Sequence, residues 1–221
     1  GYEPFIATGR SPAETRDIME SANIHSGIFM NGQVVLYQGE RVFSSEIPTE
    51  TVERFHQMVK EDGYGLTAYN DKEFYLVESS AGAKDAYGFI HTNPPALKED
   101  FYKENPINMM LFISLPPAEE KYKVAFPNLD FLRNTPYSVD VISKGNSKAE
   151  GIKRFLEHLD QEDAETYAFG DGPNDIEMLQ AVTHPVAMGN ALPVLKEIAE
   201  FITTNNTDNG IVNGLKHYGL I

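Results

Sequence analysis

The chain has 221 residues, of which 41% are hydrophobic and 23% are charged, a composition typical of globular proteins with one or two domains. Its 33 acidic residues against 18 basic ones give a net charge of −15, which disfavours nucleic acid and anionic membranes as partners, because both bind mainly through Lys and Arg. The chain has no cysteine, which excludes disulfides and thiolate metal sites and favours a cytoplasmic protein.

The first predicted unit is a strand, a tight turn and a helix. A short apolar run over residues 5–7 predicts a buried strand, and Thr8-Gly9-Arg10 ends it. Ser11 is a good helix N-cap, Pro12 suits the first helical turn, and Glu14 completes a capping box. Thr8 and Gly9 are therefore expected in the turn between the strand and the helix.

The middle of the chain has a different pattern. Val52, Phe55 and Val59 lie at helical spacing and predict one amphipathic helix. Strand-like runs follow at residues 66–69 and 73–77, with a hairpin turn at Asn70-Asp71, and a further run covers residues 108–115. We interpret residues 47–136 as an α+β domain, a cap, inserted into the surrounding domain.

The remainder predicts further alternation of strands and helices. A strand over residues 139–142 precedes a helix that opens at Ser147-Lys148, and a strand over residues 167–169 runs into the loop Gly170-Asp171-Gly172-Pro173-Asn174-Asp175. Two more strands are predicted, over residues 186–188 and 201–203. Repeated strand–turn–helix units indicate an α/β fold with a doubly wound parallel sheet. Residues 1–46 and 137–221 would together form this Rossmann-like core.

Three polar clusters fall at the carboxyl ends of predicted strands, where open parallel sheets bind ligands. Thr8 with the Gly9 amide could hold a phosphate oxygen, and Lys148 could reach a phosphate or neutralise clustered carboxylates. Asp171 is the candidate Mg²⁺ ligand, because Mg²⁺ takes one or two carboxylates together with substrate phosphate and water. Asn174 and Asp175 would orient this loop.

Simpler interpretations exist for each cluster. Lys148 alone could be a solvated surface residue, and the loop around Asp171 could be a polar turn in which Asp175 caps the next helix. A calcium-binding EF-hand loop is excluded, because its twelfth position would be Val182 where a bidentate Glu is required.

Taken together, the clusters resemble the haloacid dehalogenase (HAD) superfamily, and most closely its Cof-type phosphatases of subclass IIB, which carry a cap. The resemblance rests on Ile-Ala-Thr-Gly-Arg near the start, the Ser-Lys helix start, and the Gly-Asp-Gly-Pro-Asn-Asp loop. It extends through the runs Met-Asn-Gly at 30–32, Ala-Met-Gly-Asn-Ala at 187–191 and Asp-Asn-Gly-Ile-Val at 208–212.

The resemblance implies a Mg²⁺-dependent phosphatase that acts on a small phosphorylated metabolite, such as a sugar phosphate, through an aspartyl-phosphate intermediate. Thr8 and Gly9 match the motif that holds the transferring phosphoryl group, with Asn174 as a further contact. Lys148 matches the lysine that steadies nucleophile and phosphate. Asp171 matches the metal ligand, and Asp175 is implied as a supporting catalytic residue.

One family motif has no match in this chain. The family carries Asp-x-Asp on a strand ahead of the Thr-Gly turn, and Asp17 cannot replace it because it lies inside the first predicted helix. We therefore expect a segment of about 30 to 45 residues before Gly1 that supplies this strand and both aspartates, at ordinary element lengths. The alternatives are a non-catalytic phosphometabolite-binding protein that has lost the nucleophile, and a phosphomutase. The sequence leaves the oligomeric state open.

Overall fold

The computed structural model describes residues 1–221, apart from the side chain of Asn134. The strands, in chain order, are β1 Phe5–Ala7, β2 Ser26–Phe29, β3 Val34–Tyr37, β4 Glu40–Ser44, β5 Gly65–Tyr69, β6 Phe74–Glu78, β7 Met109–Ile113, β8 Leu129–Thr135, β9 Ser138–Ser143, β10 Tyr167–Gly170, β11 His184–Ala187 and β12 Phe201–Ile202. The helices are α1 Pro12–Ala22, α2 Thr49–Asp62, α3 Ala83–Phe89, α4 Phe101–Glu104, α5 Glu119–Ala125, α6 Lys148–His158, α7 Ile176–Ala181, α8 Pro193–Ile198 and α9 Gly210–His217.

The two ends of the chain form parallel-stranded structure, as predicted. Strand β1 pairs parallel with β2, which continues into the antiparallel strands β3 and β4. Strands β10, β11 and β12 form a second, all-parallel sheet of three strands. Strand β1 is the edge of the first sheet and β10 is the edge of the second. Helices α6, α7 and α8 contact these strands, which gives the α/β character inferred from the sequence.

The middle of the chain forms one antiparallel sheet in the order β6-β5-β7-β9-β8. Its apolar core lies under α2 and α5, where Phe55 contacts both Phe112 and Tyr122 at ring-centroid distances of 5.6 and 5.0 Å. The predicted stripe of α2 is confirmed, because Val52, Phe55 and Val59 are fully buried. The predicted hairpin is also confirmed, since β5 and β6 pair antiparallel on either side of its turn.

The strand predicted over residues 139–142 exists as β9, but its predicted place in the parallel core was wrong. Strand β9 pairs antiparallel with β7 on one side and with β8 on the other, so it belongs to the sheet of the middle segment. A short apolar run has no periodicity that distinguishes a parallel strand from an antiparallel one. The division at residues 46/47 and 136/137 stays a proposal, and the pairing of β9 favours moving its second boundary past Ser143.

Local capping explains where the two site-bearing helices begin. The Ser11 side chain caps α1, and the Glu14 carboxylate accepts a hydrogen bond from the Ser11 amide at 2.8 Å, which completes the predicted capping box. The Ser147 hydroxyl accepts from the Glu150 amide at 3.3 Å and sets the start of α6. Lys148 therefore occupies the first position of a helix with a defined beginning. Within the described residues, no helix has the length and apolar character needed to cross a bilayer.

The antiparallel sheet packs on the sheet of β1 to β4 through an apolar seam. Phe29 and Met30 of the core are fully buried against Tyr69, Met109 and Ile142 of the middle segment. At the rim of this seam the hairpin tip is tied to β4 by an ion pair between Arg41 and Asp71 at 3.1 Å. The seam fixes the middle segment over the carboxyl end of β2.

Candidate active site

Two of the three predicted polar clusters meet directly. The Lys148 ammonium donates to Asp175 Oδ1 at 2.6 Å, and both side chains are 7% exposed. The other carboxylate oxygen, Asp175 Oδ2, accepts from the backbone amides of Asp171 and Gly172 at 2.9 and 3.0 Å. Asp175 therefore shapes the loop after β10 and anchors the lysine of α6 to it. A charge buried this deeply is retained because its partner is equally buried and hydrogen-bonded.

Asp171 is the exposed carboxylate of this loop. It follows β10 directly, and its Oδ2 accepts from Asn190 Nδ2 at 2.8 Å. Asn190 is itself held, since its Oδ1 accepts from the Asn206 amide at 3.0 Å. This contact explains why the Ala-Met-Gly-Asn-Ala run lies beside the Gly-Asp loop. The hydrogen bond from Asn190 holds one oxygen of the Asp171 carboxylate, and the side chain stays exposed at the end of β10.

The donor set suits Mg²⁺ in part. Among the described residues, no group of three or more His, Cys, Asp or Glu side chains is placed to hold a metal ion. Mg²⁺ does not need such a group, because it is usually bound by one or two carboxylates with water and substrate phosphate. Asp171 supplies one carboxylate at a solvent-facing position, which fits that chemistry.

The Thr8-Gly9 turn lies at the end of β1 and is fixed from both sides. Thr8 donates its backbone N–H to Ile28 at 2.9 Å, and its carbonyl accepts from the Asn31 amide at 3.1 Å. The Thr8 hydroxyl accepts from the Arg10 amide at 3.1 Å. A side chain at Gly9 would crowd Asn31, whose amide atoms lie 3.3 Å from the position of an added Cβ. The absence of a side chain at Gly9 therefore leaves room for Asn31 to pack beside the turn.

A hydrogen-bond chain joins the remaining loops across this turn. Asn174 Nδ2 donates to Asn31 Oδ1 at 3.0 Å, and Asn31 Nδ2 donates to Asp140 Oδ2 at 3.2 Å. The chain runs from the loop after β10, through the β2–β3 connection, to the middle of β9. It places Asn174, a predicted phosphate contact, next to Thr8 and Gly9.

The backbone of the β2–β3 connection holds Asn31 in place. Asn31 has a left-handed conformation with φ of 54°, and Gly32 follows with φ of 91°. A Cβ at Gly32 would overlap the carbonyl oxygen of Ser147, so the connection packs directly on the start of α6. Only glycine fits there, because the close approach and the positive φ both exclude a side chain.

The structure thus brings Lys148, Asp175 and Asp171 together and connects Asn174 to the Thr8-Gly9 turn. Their catalytic roles stay predictions. Sequence reasoning missed Asn31, Asn190 and Asp140 as members of the site. The first two lie in runs that supported the resemblance, and the Asn-Gly pair at 31–32 was the available signal for a left-handed turn. Asp140 carried no signal in the sequence, since its role depends on which sheet β9 joins.

Three polar side chains of the cap, Arg133, Tyr75 and Tyr87, have partners within the cap itself. The Arg133 guanidinium binds both carboxylate oxygens of Glu119, at 2.7 and 2.6 Å. Tyr75 packs on Phe101 in the apolar cluster that the cap sheet forms with α2. Tyr87 shares hydrogen bonds with Thr67 and Tyr69 at 2.7 and 3.1 Å, and burial raises its pKa to about 12. Lys84 and His91 of the same segment are exposed.

Comparisons with known proteins agree with this geometry. The family model for haloacid dehalogenase-like hydrolases matches residues 1–215. The chain is 36% identical to the Bacillus subtilis (strain 168) protein named "Putative phosphatase YkrA", over 100% of this chain and 86% of that protein.

Solved structures give the same result. A hypothetical protein from Geobacillus kaustophilus HTA426 superposes with a TM-score of 0.91 at 32% identity, covering 98% of this chain and 85% of that one. The HAD subclass IIB sugar phosphatase BT4131 superposes with a TM-score of 0.84 at 28% identity, over 100% of this chain and 87% of that one. The chain belongs to the haloacid dehalogenase-like hydrolase family, among relatives that are named phosphatases.

Proposed function

We propose that this protein hydrolyses a small phosphate monoester, a sugar phosphate or a related metabolite, with Mg²⁺ and through an aspartyl-phosphate intermediate. One observation carries the proposal. The Thr8-Gly9 turn and the Asp171 carboxylate follow the carboxyl ends of β1 and β10, each of which pairs parallel with its neighbour, and the buried Lys148–Asp175 pair lies beside them. Ligands of open α/β sheets bind at this edge.

Each residue has a role that its contacts support. The Thr8 hydroxyl and the Gly9 amide would hold two phosphoryl oxygens, since backbone hydrogen bonds of Thr8 fix the turn. Lys148 would stabilise the charge that develops on the phosphoryl group, from a position already set by Asp175. Because the ammonium is oriented before substrate binds, little reorganisation is needed in the transition state. Asn174 would complete the cradle through its contact with Asn31.

Asp171 would hold the metal ion. When bound, Mg²⁺ would neutralise charge on the phosphoryl oxygens and orient them for attack. Asn190 would keep the Asp171 carboxylate in a fixed orientation for this task. Loss of a hydrogen-bond partner that orients a ligating carboxylate commonly lowers metal affinity.

The nucleophile is proposed to lie on a further parallel strand between β1 and β10. Each of these strands is a sheet edge, and each has its parallel neighbour on the other side only. Ala7 of β1 also packs against the apolar cluster beneath β10, which puts the two edges close together. An unpaired edge exposes backbone donors and acceptors. One inserted strand would satisfy both edges and bring an aspartate between Thr8 and Asp171.

Phosphate release by the product of the complete gene tests the proposal. We expect Mg²⁺-dependent hydrolysis of p-nitrophenyl phosphate and of at least one sugar phosphate in a metabolite panel, with loss of activity in EDTA. Release of inorganic phosphate separates a phosphatase from a phosphomutase, which would return an isomeric phosphate ester. Saturable ligand binding without any turnover would refute the enzymatic proposal and favour a binding protein.

A further inference from the structure

The chain crosses between the core and the cap through two connecting segments, residues 45–48 after β4 and residues 144–147 after β9. A long hydrogen bond joins them directly, because Asn146 Nδ2 donates to Ser45 Oγ at 3.4 Å. A rotation of the cap relative to the core has to change backbone dihedrals in these segments, as hinge motions do. Groups that tie the segments together therefore control the orientation of the cap.

Arg154 of α6 contacts the chain on both sides of this crossing. Its Nη1 donates to Asn146 Oδ1 at 2.5 Å, in the second connecting segment. Its guanidinium carbon lies 4.2 Å from the centre of the Phe43 ring, on the strand that leads into the first segment. A hydrogen bond from a charged donor is about twice as strong as a neutral one, and a cation is attracted to an aromatic face. One half-buried side chain thus links both crossings.

Asn108, directly before β7, holds the first connecting segment from the cap. Its Nδ2 donates to Ser44 Oγ at 2.9 Å and to the Ser45 carbonyl at 2.7 Å. The Ser45 amide in turn donates to the carbonyl of Gln33 in the core at 2.7 Å. Asn108 is 1% exposed, so these bonds are shielded from water. The segment is bonded to the core and to the cap at once, which leaves it little freedom to act as a loose hinge.

The apolar seam between cap and core does not set this angle by itself. Met30 is fully buried there, and Tyr69 and Met109 are 2% and 3% exposed. A cap that swung away would expose these side chains to water, which is unfavourable. The hydrophobic effect is non-directional, however, so the seam permits a small rotation about the contact. Hydrogen bonds have preferred angles and can fix such a rotation.

We propose that Arg154 and Asn146 are positioning residues, which clamp the two connecting segments together and fix the angle at which the cap lies over the site. The cap then presents a preformed surface to the ester substituent instead of closing as a lid after the substrate binds. Arg154 and Lys148 lie on the same helix, so the clamp also fixes the cap relative to the lysine of the site. The inference rests on the proposed function only for its effect on turnover, since the clamp is a property of the fold.

A purely local role for these residues makes a different prediction. If Arg154 and Asn146 only stabilise the helix and its approach, their loss lowers the Tm and leaves the cap angle unchanged. Arg154→Met removes the charge and the donor but keeps a long apolar side chain over Phe43. Asn146→Ala breaks the same link from the other side. Lys153→Met is the matched control, because Lys153 is an exposed neighbour on the same helix.

The test is the distance between two spin labels in the complete gene product, measured by pulsed electron paramagnetic resonance. Residues 1–221 contain no cysteine, so labels can be attached at Glu53→Cys on α2 and Gln180→Cys on α7. Any cysteine outside residues 1–221 would be replaced by serine. A second pair, Glu53→Cys with Asp85→Cys on α3, lies within the cap and reports on its internal structure. All three positions are exposed.

We expect one narrow distance distribution between core and cap in the wild type and in Lys153→Met. Arg154→Met and Asn146→Ala should each broaden it or add a second distance, because loss of one hydrogen bond to a charged group shifts an equilibrium about tenfold or more. The distance within the cap should stay unchanged in every variant. An unchanged distribution between core and cap in both variants overturns the clamp, whatever their Tm.

Kinetics on the same variants separates this inference from the proposed function. Arg154→Met should lower kcat/KM about tenfold, mainly through KM, for the sugar phosphate of the panel that the wild type hydrolyses fastest. Acetyl phosphate, which is too small to need the cap, should keep its kcat/KM within about twofold. An equal loss for both substrates overturns the positioning role. A changed label distance without turnover by the wild type supports the clamp and counts against hydrolysis alone.

Discussion

Truncation of Lys148 should cost both stability and turnover. Its position at the first turn of α6 would by itself predict almost no loss, because Ala is the best helix former. The buried ion pair changes this expectation, since Lys148→Ala leaves the Asp175 carboxylate 7% exposed and without its cation. Breaking such a pair costs about 3–5 kcal/mol. Asp175 keeps two backbone N–H donors, so we expect the lower end, about 3 kcal/mol.

The assay is urea and thermal unfolding of the variant beside Lys153→Ala, an exposed lysine on the same helix. For a chain of this length, about 3 kcal/mol corresponds to a fall in Tm of about 6–12 °C. Turnover should fall at least about 10²-fold, as for the loss of one electrostatic stabiliser.

The double variant Lys148→Ala/Asp175→Asn should recover part of the lost stability, because no charge is then left unpaired, but none of the lost turnover. If Lys148→Ala changes stability by less than about 0.5 kcal/mol, the range typical of surface substitutions, the reasoning about the buried pair is wrong.

Three further predictions follow from the site and the cap. Asp171→Asn should weaken Mg²⁺ binding at least about tenfold in isothermal titration without changing the Tm, because the side chain is exposed and loses only its charge. Gly32→Ala should destabilise the protein by about 2 kcal/mol or more in urea unfolding, since the added Cβ overlaps a backbone carbonyl that cannot rotate away. Glu119→Gln should reduce the loss of stability on acidification, because the hydrogen bond from Arg133 lowers the pKa of Glu119 below its ordinary 4.5. That contribution is present above this ordinary pKa and is lost as the pH falls through the lowered one.

Each of these predictions has a matched control. Asp163→Asn removes an exposed carboxylate outside the site and should leave Mg²⁺ affinity unchanged. Gly39→Ala places a side chain at a similar φ of 83° with no atom within 4 Å, so it isolates the backbone strain, about 1–2 kcal/mol, from the overlap at Gly32. Glu120→Gln removes an exposed neighbour of Glu119 and should not alter the acid response. If a control variant changes the measured quantity as much as its test variant does, the corresponding prediction is refuted.

Local chemistry made the strand–turn–helix units predictable. The capping residues Ser11 and Ser147 fix where helices begin, and the stripe of α2 identifies its buried face, so both features were evident in the sequence. The sheet that β9 joins was not evident in the sequence. Its partner β7 lies about 30 residues earlier in the chain, and only tertiary packing selects that pairing. That one misplaced strand also moves the expected boundary of the cap.

The site was predictable to the extent that it depends on strand ends. Thr8 and Asp171 follow from the rule that parallel strands direct their carboxyl ends to one edge. Lys148 does not, because the strand that precedes it is the antiparallel β9, and its contact with Asp175 is what places it in the site. The contact between Asn174 and Asn31 joins residues separated by 143 positions, and no local pattern records it. Asp140 depends in turn on the position of β9. Residues that act through tertiary contacts between two sheets can be identified only from the structure.

We propose that the site hydrolyses phosphate esters through an aspartate on a strand between β1 and β10. The most direct test of this proposal is rapid acid quenching of the complete gene product during turnover of a phosphate ester with Mg²⁺, followed by mass spectrometric mapping of the covalent adduct. We expect one phosphoryl group on an aspartate in a peptide that precedes Gly1 in the gene product. An adduct on a residue within 1–221, or sustained turnover without any phosphoryl adduct, would contradict it.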